Sequence, residues 1–133
     1  MSTWSPDSRY GPVPDWLREA IDTALADLQQ PTPVGVLLGY DDLTGRLCVS
    51  EAGERGQWGY EPSKLRGVEL LIDLAAAFQD QFIPETRGAW GQARPACPGH
   101  PHPAQADEVE GEAWWICPVD RQRVARIGQL GRD

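Results

Sequence analysis

The positions of the prolines constrain the fold of this chain more than any other feature. Proline has no backbone N–H and a fixed φ, so it suits the first turn of a helix and breaks a helix interior or a central strand. The 133 residues include 12 prolines, which separate two stretches of helical periodicity from shorter apolar runs. We therefore expect short elements joined by many turns, in a chain long enough for one domain with its own core.

The first helical pattern starts at Pro14, a position where the missing N–H is not needed. Pro31 and Pro33 end the pattern. Residues 1–13, which precede it, are polar and proline-rich and are predicted to form a flexible N-terminal arm. The predicted helix has one apolar face, made of Leu17, Ile21, Ala24, Leu25 and Leu28.

Three short strands are predicted after this helix. Residues 34–40 form an apolar run bounded by turn residues, which is typical of a buried strand. Residues 46–50 alternate between polar and apolar, and residues 57–60 are a candidate third strand. Because turn residues separate these runs at short intervals, they predict an antiparallel meander.

The longest helix is predicted from Pro62 to Pro84, with Ser63 as its N-cap. Its core-facing stripe is expected to comprise Leu65, Val68, Leu71, Ile72, Ala75, Phe78 and Phe82. Glu69, Asp73 and Asp80 lie on the opposite side. That distribution is typical of a core helix with a solvated acidic face.

The character of the sequence changes after Pro84. Residues 85–113 contain four prolines and lose all periodicity, which indicates an irregular loop. Loops of this length are usually functional, metal-bound or disordered. Two apolar runs, 113–117 and 123–127, then predict a C-terminal β-hairpin.

The predicted fold class is α+β. The expected order is a helix, a three-stranded antiparallel meander, a long helix, an irregular zinc-binding loop and a C-terminal β-hairpin. Residues 14–84 would form an α-β-β-β-α core, and residues 85–133 would pack on it within the same domain.

A candidate metal site stands out in the C-terminal third. Cys97-Pro-Gly-His100-Pro-His102 is followed twenty residues after its cysteine by Cys117-Pro-Val-Asp120. Structural zinc takes four nitrogen or sulfur ligands in a tetrahedron, and turns of the Cys-Pro-x-X form present such ligands. Cys97, His100 and Cys117 supply three, and His102, or Asp120 as the alternative, supplies the fourth. Because the loop lacks apolar periodicity, ligation of Zn²⁺ would be its main source of order.

Other interpretations of these residues stay open at this point. The two histidines could be ordinary exposed loop residues, and Cys97 could form a disulfide with Cys117. If neither His102 nor Asp120 binds, the fourth position would hold water, as in catalytic zinc sites. Cys48 lies in a predicted strand and is expected to fill the core.

The residues around the candidate zinc ligands also resemble a pattern found in other sequences. Cys97-Pro-Gly-His-Pro-His102 and Trp115-Ile-Cys-Pro118, ahead of Arg126-Ile-Gly128, resemble a pattern in small uncharacterised actinobacterial proteins. The resemblance covers roughly 45 residues and implies zinc-ribbon-like binding without implying an activity. Asp120 stands where a standard ribbon would have a cysteine. The order of helices and strands is also similar to that of small secretion-chaperone-like folds, which bind polypeptides. This similarity rests on element order alone and is an analogy.

The composition narrows the function classes. A net charge of −8 makes general nucleic-acid binding unlikely, because such binding depends on Lys and Arg neutralising phosphates. An alternative regulatory function through nucleic acid would use the basic patch of Arg121, Arg123, Arg126 and Arg132. A second alternative, a small zinc-dependent hydrolase, would use Glu108, Glu110 or Glu112 as general base. Neither His-Glu-x-x-His nor the deaminase pattern is present.

The leading hypothesis is a non-enzymatic protein with a structural zinc site, acting as a protein-binding or accessory module. Trp90, Trp114 and Trp115 are candidate contacts for a protein partner or a second copy of the chain, since aromatics are enriched at interface hot spots. An odd number of cysteines fits the reducing cytoplasm better than a disulfide framework. No apolar run reaches the roughly 20 residues that span a bilayer, so no membrane association is expected.

Overall fold

A computed structural model describes residues 11–28, 36–51, 57–85, 95, 97–98 and 103–130. The described elements are two helices and two antiparallel sheets of three strands each. In chain order they are α1 (Asp15–Leu28), β1 (Val36–Asp41), β2 (Arg46–Glu51), β3 (Gln57–Tyr60), α2 (Gly67–Glu85), β4 (Gln105–Val109), β5 (Glu112–Ile116) and β6 (Arg123–Arg126). Neither described helix is long and apolar enough to cross a membrane.

The first helix follows its sequence pattern. Pro14 precedes α1, and its carbonyl accepts hydrogen bonds from the backbone N–H groups of Leu17 and Arg18 at 3.1 and 2.9 Å. All five residues of the predicted apolar face are buried. Because one stripe at helical spacing is enough to define this face, the position of α1 in the core could be predicted from sequence.

The first sheet is a meander with the strand order β1-β2-β3. Leu38 of β1 pairs with Val49 of β2, which pairs with Trp58 of β3. Gly11 adds a single antiparallel bridge at Tyr40, on the outer edge of β1. Leu47 and Val49 point into the core, whereas Cys48, which is also buried, lies on the other face of β2.

The second helix begins later than predicted, and its buried face only partly matches the prediction. It starts at Gly67, whereas Ser63 lies four residues earlier in a separate turn with a φ of 54°, so Ser63 is not its N-cap. The buried apolar residues of α2 are Leu70, Leu74, Ala75 and Phe78. Of the predicted stripe, Ala75 and Phe78 are thus buried, Leu65, Val68, Leu71 and Ile72 are half-buried, and the side chain of Phe82 lies outside the described residues. Most of the helix circumference is apolar, and periodicity therefore did not determine which stripe is buried.

The predicted order of the C-terminal elements is wrong. Residues Gln105–Val109, expected to be irregular loop, form β4, and the C-terminal hairpin is in fact a three-stranded sheet with the order β4-β5-β6. The side chains of β4 are half-buried or exposed because it is an edge strand. An edge strand with polar residues on both faces lacks the alternation by which strands are found in sequence.

One cluster of buried residues joins both sheets and both helices. Its largest members with complete burial are Trp115, Phe78, Leu17, Ile21, Leu28, Leu38, Leu47 and Leu74. Cys97 and Cys117 belong to the same cluster. The two cysteines of the candidate metal site are therefore packed against the hydrophobic core, next to the second sheet.

Candidate functional site

Three chain segments meet at one end of the second sheet. Gln105 at the start of β4 pairs with Ile116 at the end of β5, and Ile116 pairs with Arg123 at the start of β6. Cys117 follows Ile116 directly. The segment that carries Cys97 returns to the same end, since the N–H of Ala104 donates to the carbonyl of Pro95 at 2.7 Å.

The turn after Cys117 is closed by hydrogen bonds of its own backbone. The N–H of Cys117 donates to the carbonyl of Gln122 at 2.9 Å, and the N–H of Arg121 donates to the carbonyl of Cys117 at 2.8 Å. Asp120 Oδ1 accepts the N–H of Gln122 at 3.0 Å. Arg121 has a φ of 63°, the left-handed conformation that lets the chain reverse here. This tight turn fixes the direction of the Cys117 side chain.

The thiols of Cys97 and Cys117 contact each other. Both residues are only 3% exposed, and their side chains share a hydrogen bond. Burial raises the pKa of the Cys97 thiol to about 11, and the hydrogen bond to Cys117 and the negative charges of Cys117 and Asp120 add to this effect. None of the three cysteines forms a disulfide. Two sulfur donors from distant parts of the sequence are thus brought together.

The remaining ligand candidates differ in position. His100 and His102 lie outside the described residues. Asp120 is exposed to solvent, although its charge acts on Cys97. Within the residues that the structure describes, no three His, Cys, Asp or Glu side chains are grouped so that they could hold one metal ion. Asp120 therefore does not complete a three-ligand group with the two cysteines.

The carboxylates considered as general bases lie along the hairpin of β4 and β5. Glu110 is in its turn and Glu112 begins β5, four residues before Ile116. At about 3.3 Å per residue in a strand, Glu112 is roughly 13 Å along the strand from the end that carries Cys117. This placement gives no support to a hydrolytic centre at the cysteines.

Three of the four arginines of the C-terminal patch form ion pairs with nearby acids, and Arg132 lies outside the described residues. Three pairs cross the second sheet at N···O distances of 2.9, 3.6 and 2.8 Å, namely Arg121–Asp107, Arg123–Glu110 and Arg126–Glu112. All of these side chains are at least one third exposed. The patch is thus largely charge-compensated, whereas phosphate binding depends on uncompensated cations.

The two adjacent tryptophans of β5 point to opposite faces of the sheet. Trp115 is completely buried, so its side chain belongs to the core and is not available to a partner. Trp114 is half-buried, and the guanidinium of Arg123 lies 5.1 Å from its ring centroid. The indole N–H of Trp114 is buried without a hydrogen-bond partner. Trp90, the third candidate, lies outside the described residues.

A buried carboxylate that was not singled out from sequence connects the second sheet to α1. Asp27 is 1% exposed. It accepts hydrogen bonds from Trp115 Nε1 and Gly128 N, both at 2.6 Å, and from Leu130 N at 3.1 Å. The available signal was its position in the last turn of α1, where a negative charge opposes the helix dipole and needs compensation by other donors.

Comparison with known proteins identifies no relative. No protein-family model, curated protein or solved structure matches this chain. The chemistry of the site must therefore be argued from its own residues.

Proposed function

We propose that this protein is a non-enzymatic protein-binding or accessory module in which Cys97, His100, His102 and Cys117 bind one structural Zn²⁺. The observation that carries the proposal is the contact between the Cys97 and Cys117 thiols. Two cysteines that are not in a disulfide, separated by twenty residues and buried side by side, supply half of a tetrahedral sulfur and nitrogen site. His100 and His102 follow Cys97 in a segment whose flanks, Pro95 and Ala104, are hydrogen-bonded.

His102 is preferred to Asp120 as the fourth ligand. Asp120 is exposed, and one of its carboxylate oxygens already accepts the N–H of Gln122. It does not form a three-ligand group with Cys97 and Cys117. Imidazole is also a commoner ligand than carboxylate in closed structural zinc sites.

The proposed role of the metal is to order the second sheet. The two ligand segments lie directly before β4 and between β5 and β6, so one ion would join all three strands at one end. Cysteines that form no disulfide also suit a reducing compartment, and the same proposal includes a cytoplasmic location.

The test is elemental analysis of the purified, untagged protein. We expect about one equivalent of zinc, because a four-ligand site binds a single ion. Cys97→Ser or Cys117→Ser should reduce retained zinc to less than about a tenth, since each removes a thiolate ligand. Cys48→Ser is the matched control, because Cys48 is equally buried but lies in the first sheet.

The fourth ligand can be assigned in the same assay. His102→Ala should release the zinc, whereas Asp120→Asn should retain it; the opposite pattern would assign Asp120. Chelation should accelerate amide hydrogen exchange in β4–β6 and leave β1–β3 unchanged. Absence of metal, together with a mass two hydrogens lighter from a Cys97–Cys117 disulfide, would overturn the proposal.

A further inference from the structure

A groove runs between α2 and β4, away from the cysteines. Its volume is about 330 Å³, within the range of cavities that bind small molecules or single side chains. It is lined by Leu65, Glu69, Ile72, Asp73, Asp107 and Glu108. The helix side contributes the carboxylates of Glu69 and Asp73 and the aliphatic residues Leu65 and Ile72. On the strand side, Asp107 and Glu108 are adjacent and point to opposite faces of the sheet; Glu108, which pairs with buried Ala113, lies on the core-facing side.

The helix side of the groove combines apolar and acidic residues on one face. Ile72 and Asp73 come three and four residues after Glu69, so each lies next to Glu69 on the helix surface. Ile72 and Leu65 are half-buried and pack against the core cluster, while Glu69 and Asp73 are exposed. Two residues of the acidic face expected from sequence to be merely solvated, Glu69 and Asp73, therefore line a groove together with half-buried aliphatic residues.

The negative charge of the groove is only partly compensated. Asp107 pairs with Arg121 at 2.9 Å. Asp73 accepts a hydrogen bond from the Tyr60 hydroxyl at 2.6 Å, which is an uncharged donor and leaves the carboxylate negative. Among the described residues, neither Glu69 nor Glu108 forms an ion pair.

The arrangement does not suit a single metal ion. All four carboxylates are among the described residues, and no three acidic, His or Cys side chains there are grouped to hold one ion. They come instead from both α2 and β4, and the half-buried Leu65 and Ile72 line the same groove. An occupant that complements this pattern carries separated positive charges with an apolar group between them.

We propose that the groove binds a basic segment of a partner protein, in which arginine or lysine side chains flank an aliphatic residue. The cations would pair with Glu69 and Glu108, and the aliphatic side chain would pack on Ile72. This inference rests on the proposed function in that it names the partner of the accessory module. The groove residues are not zinc ligands, so the two proposals can fail separately.

The test uses fluorescence anisotropy with a labelled peptide in which arginine and leucine alternate. The full chain should bind it, and Glu69→Gln combined with Glu108→Gln should weaken binding about tenfold, since loss of two charge pairs of about 0.7 kcal/mol each amounts to a factor of 10. The matched control combines Glu19→Gln on α1 with Asp80→Asn on α2. This control removes the same charge from exposed residues that do not line the groove, and it should change Kd less than about twofold because only long-range charge is altered.

Two comparison ligands test whether the groove recognises both the aliphatic residue and the positive charges of the peptide. A peptide with serine in place of leucine should bind more weakly, and spermidine should not displace the leucine peptide at comparable concentrations. The proposal is overturned by absence of binding, by equal weakening in both double variants, or by spermidine competing as well as unlabelled peptide. Peptide binding by protein that contains no zinc would support the groove and count against the zinc site alone.

Discussion

The two three-stranded sheets have the same topology but are held to the helices in different ways. The first sheet contributes aliphatic residues, such as Leu47 and Val49, to the core. Its link to α2 is a hydrogen bond that the Tyr60 hydroxyl donates to the exposed carboxylate of Asp73. The second sheet also contributes core residues, such as Trp115, but it is attached in addition by buried polar contacts: Asp27 of α1 accepts the indole N–H of Trp115, and Gln79 of α2 donates to the carbonyl of Ala104. Apolar packing tolerates small changes, whereas buried polar contacts fail when one partner is lost.

Replacement of Asp27 by alanine should have the largest effect and is the strongest test of this contrast. The indole N–H of Trp115 and two backbone N–H groups would remain buried without an acceptor. We expect the free energy of unfolding to fall by about 3–5 kcal/mol, measured by urea denaturation. The matched control is Asp22→Ala, an exposed acid of the same helix that pairs with Arg18, which should cost about 0.5 kcal/mol.

Amide hydrogen exchange can show where the Asp27→Ala variant loses stability. Amides of β5 and β6 should exchange faster relative to those of β1 and β2, because Asp27 attaches only the second sheet. Equal acceleration in both sheets, or a loss of stability no greater than in Asp22→Ala, would contradict the distinction between the two regions.

Gly128→Ala should have the next largest effect. Gly128 has a φ of 99°, and a Cβ at this position would lie 2.6 Å from Thr23 Cγ2. Backbone strain and overpacking together should lower the free energy of unfolding by about 2–4 kcal/mol. In the double variant with Thr23→Ala, the steric part should be recovered and the backbone part should persist, so a double-mutant cycle separates them. Strict additivity would show that the close approach to α1 is not maintained in solution.

Arg121→Gln should have the smallest effect and a dependence on pH. The hydrogen bond from Arg121 and that from the N–H of Glu108 lower the pKa of Asp107. Because the pKa of Asp107 is lower in the folded state, its ion pair stabilises the fold at pH values above the unfolded-state pKa of about 3.9. This stabilisation is lost as the pH falls through the folded-state pKa. Because both side chains are more than one third exposed, the difference in free energy of unfolding at pH 7 should be under about 1 kcal/mol. A difference that grows as the pH falls toward 3 would be the wrong sign.

The first half of the fold could be largely predicted because its signals are local. The apolar stripe of α1 and the short apolar runs of β1 and β2 each indicate an element without reference to the rest of the chain. The strand β4 could not be found in this way. Its turn to β5 consists of Glu110 and Gly111 with φ values of 53° and 81°, and only the glycine hints at such a turn.

The candidate site was predictable to a similar, partial extent. The Cys-Pro pattern indicated that Cys97 and Cys117 belong together, and their thiols do contact each other. Asp27 and the groove beside α2 could not be anticipated, because each is defined by residues that meet only after folding. Asp107, for example, belongs to the region where the sequence showed no periodicity, and Trp115, although it lies in a predicted strand, bonds to Asp27 from 88 residues away.

The hydrogen bonds of Asp27 also determine when this chain can finish folding during its synthesis. The carboxylate is made early, but its three donors follow 88, 101 and 103 residues later. Until the segment up to Leu130 has left the ribosome, Asp27 lacks these three donors and its charged carboxylate must stay in water. We therefore expect α1 to dock fully only after residues 115–130 have emerged, and until then the nascent chain depends on its apolar contacts.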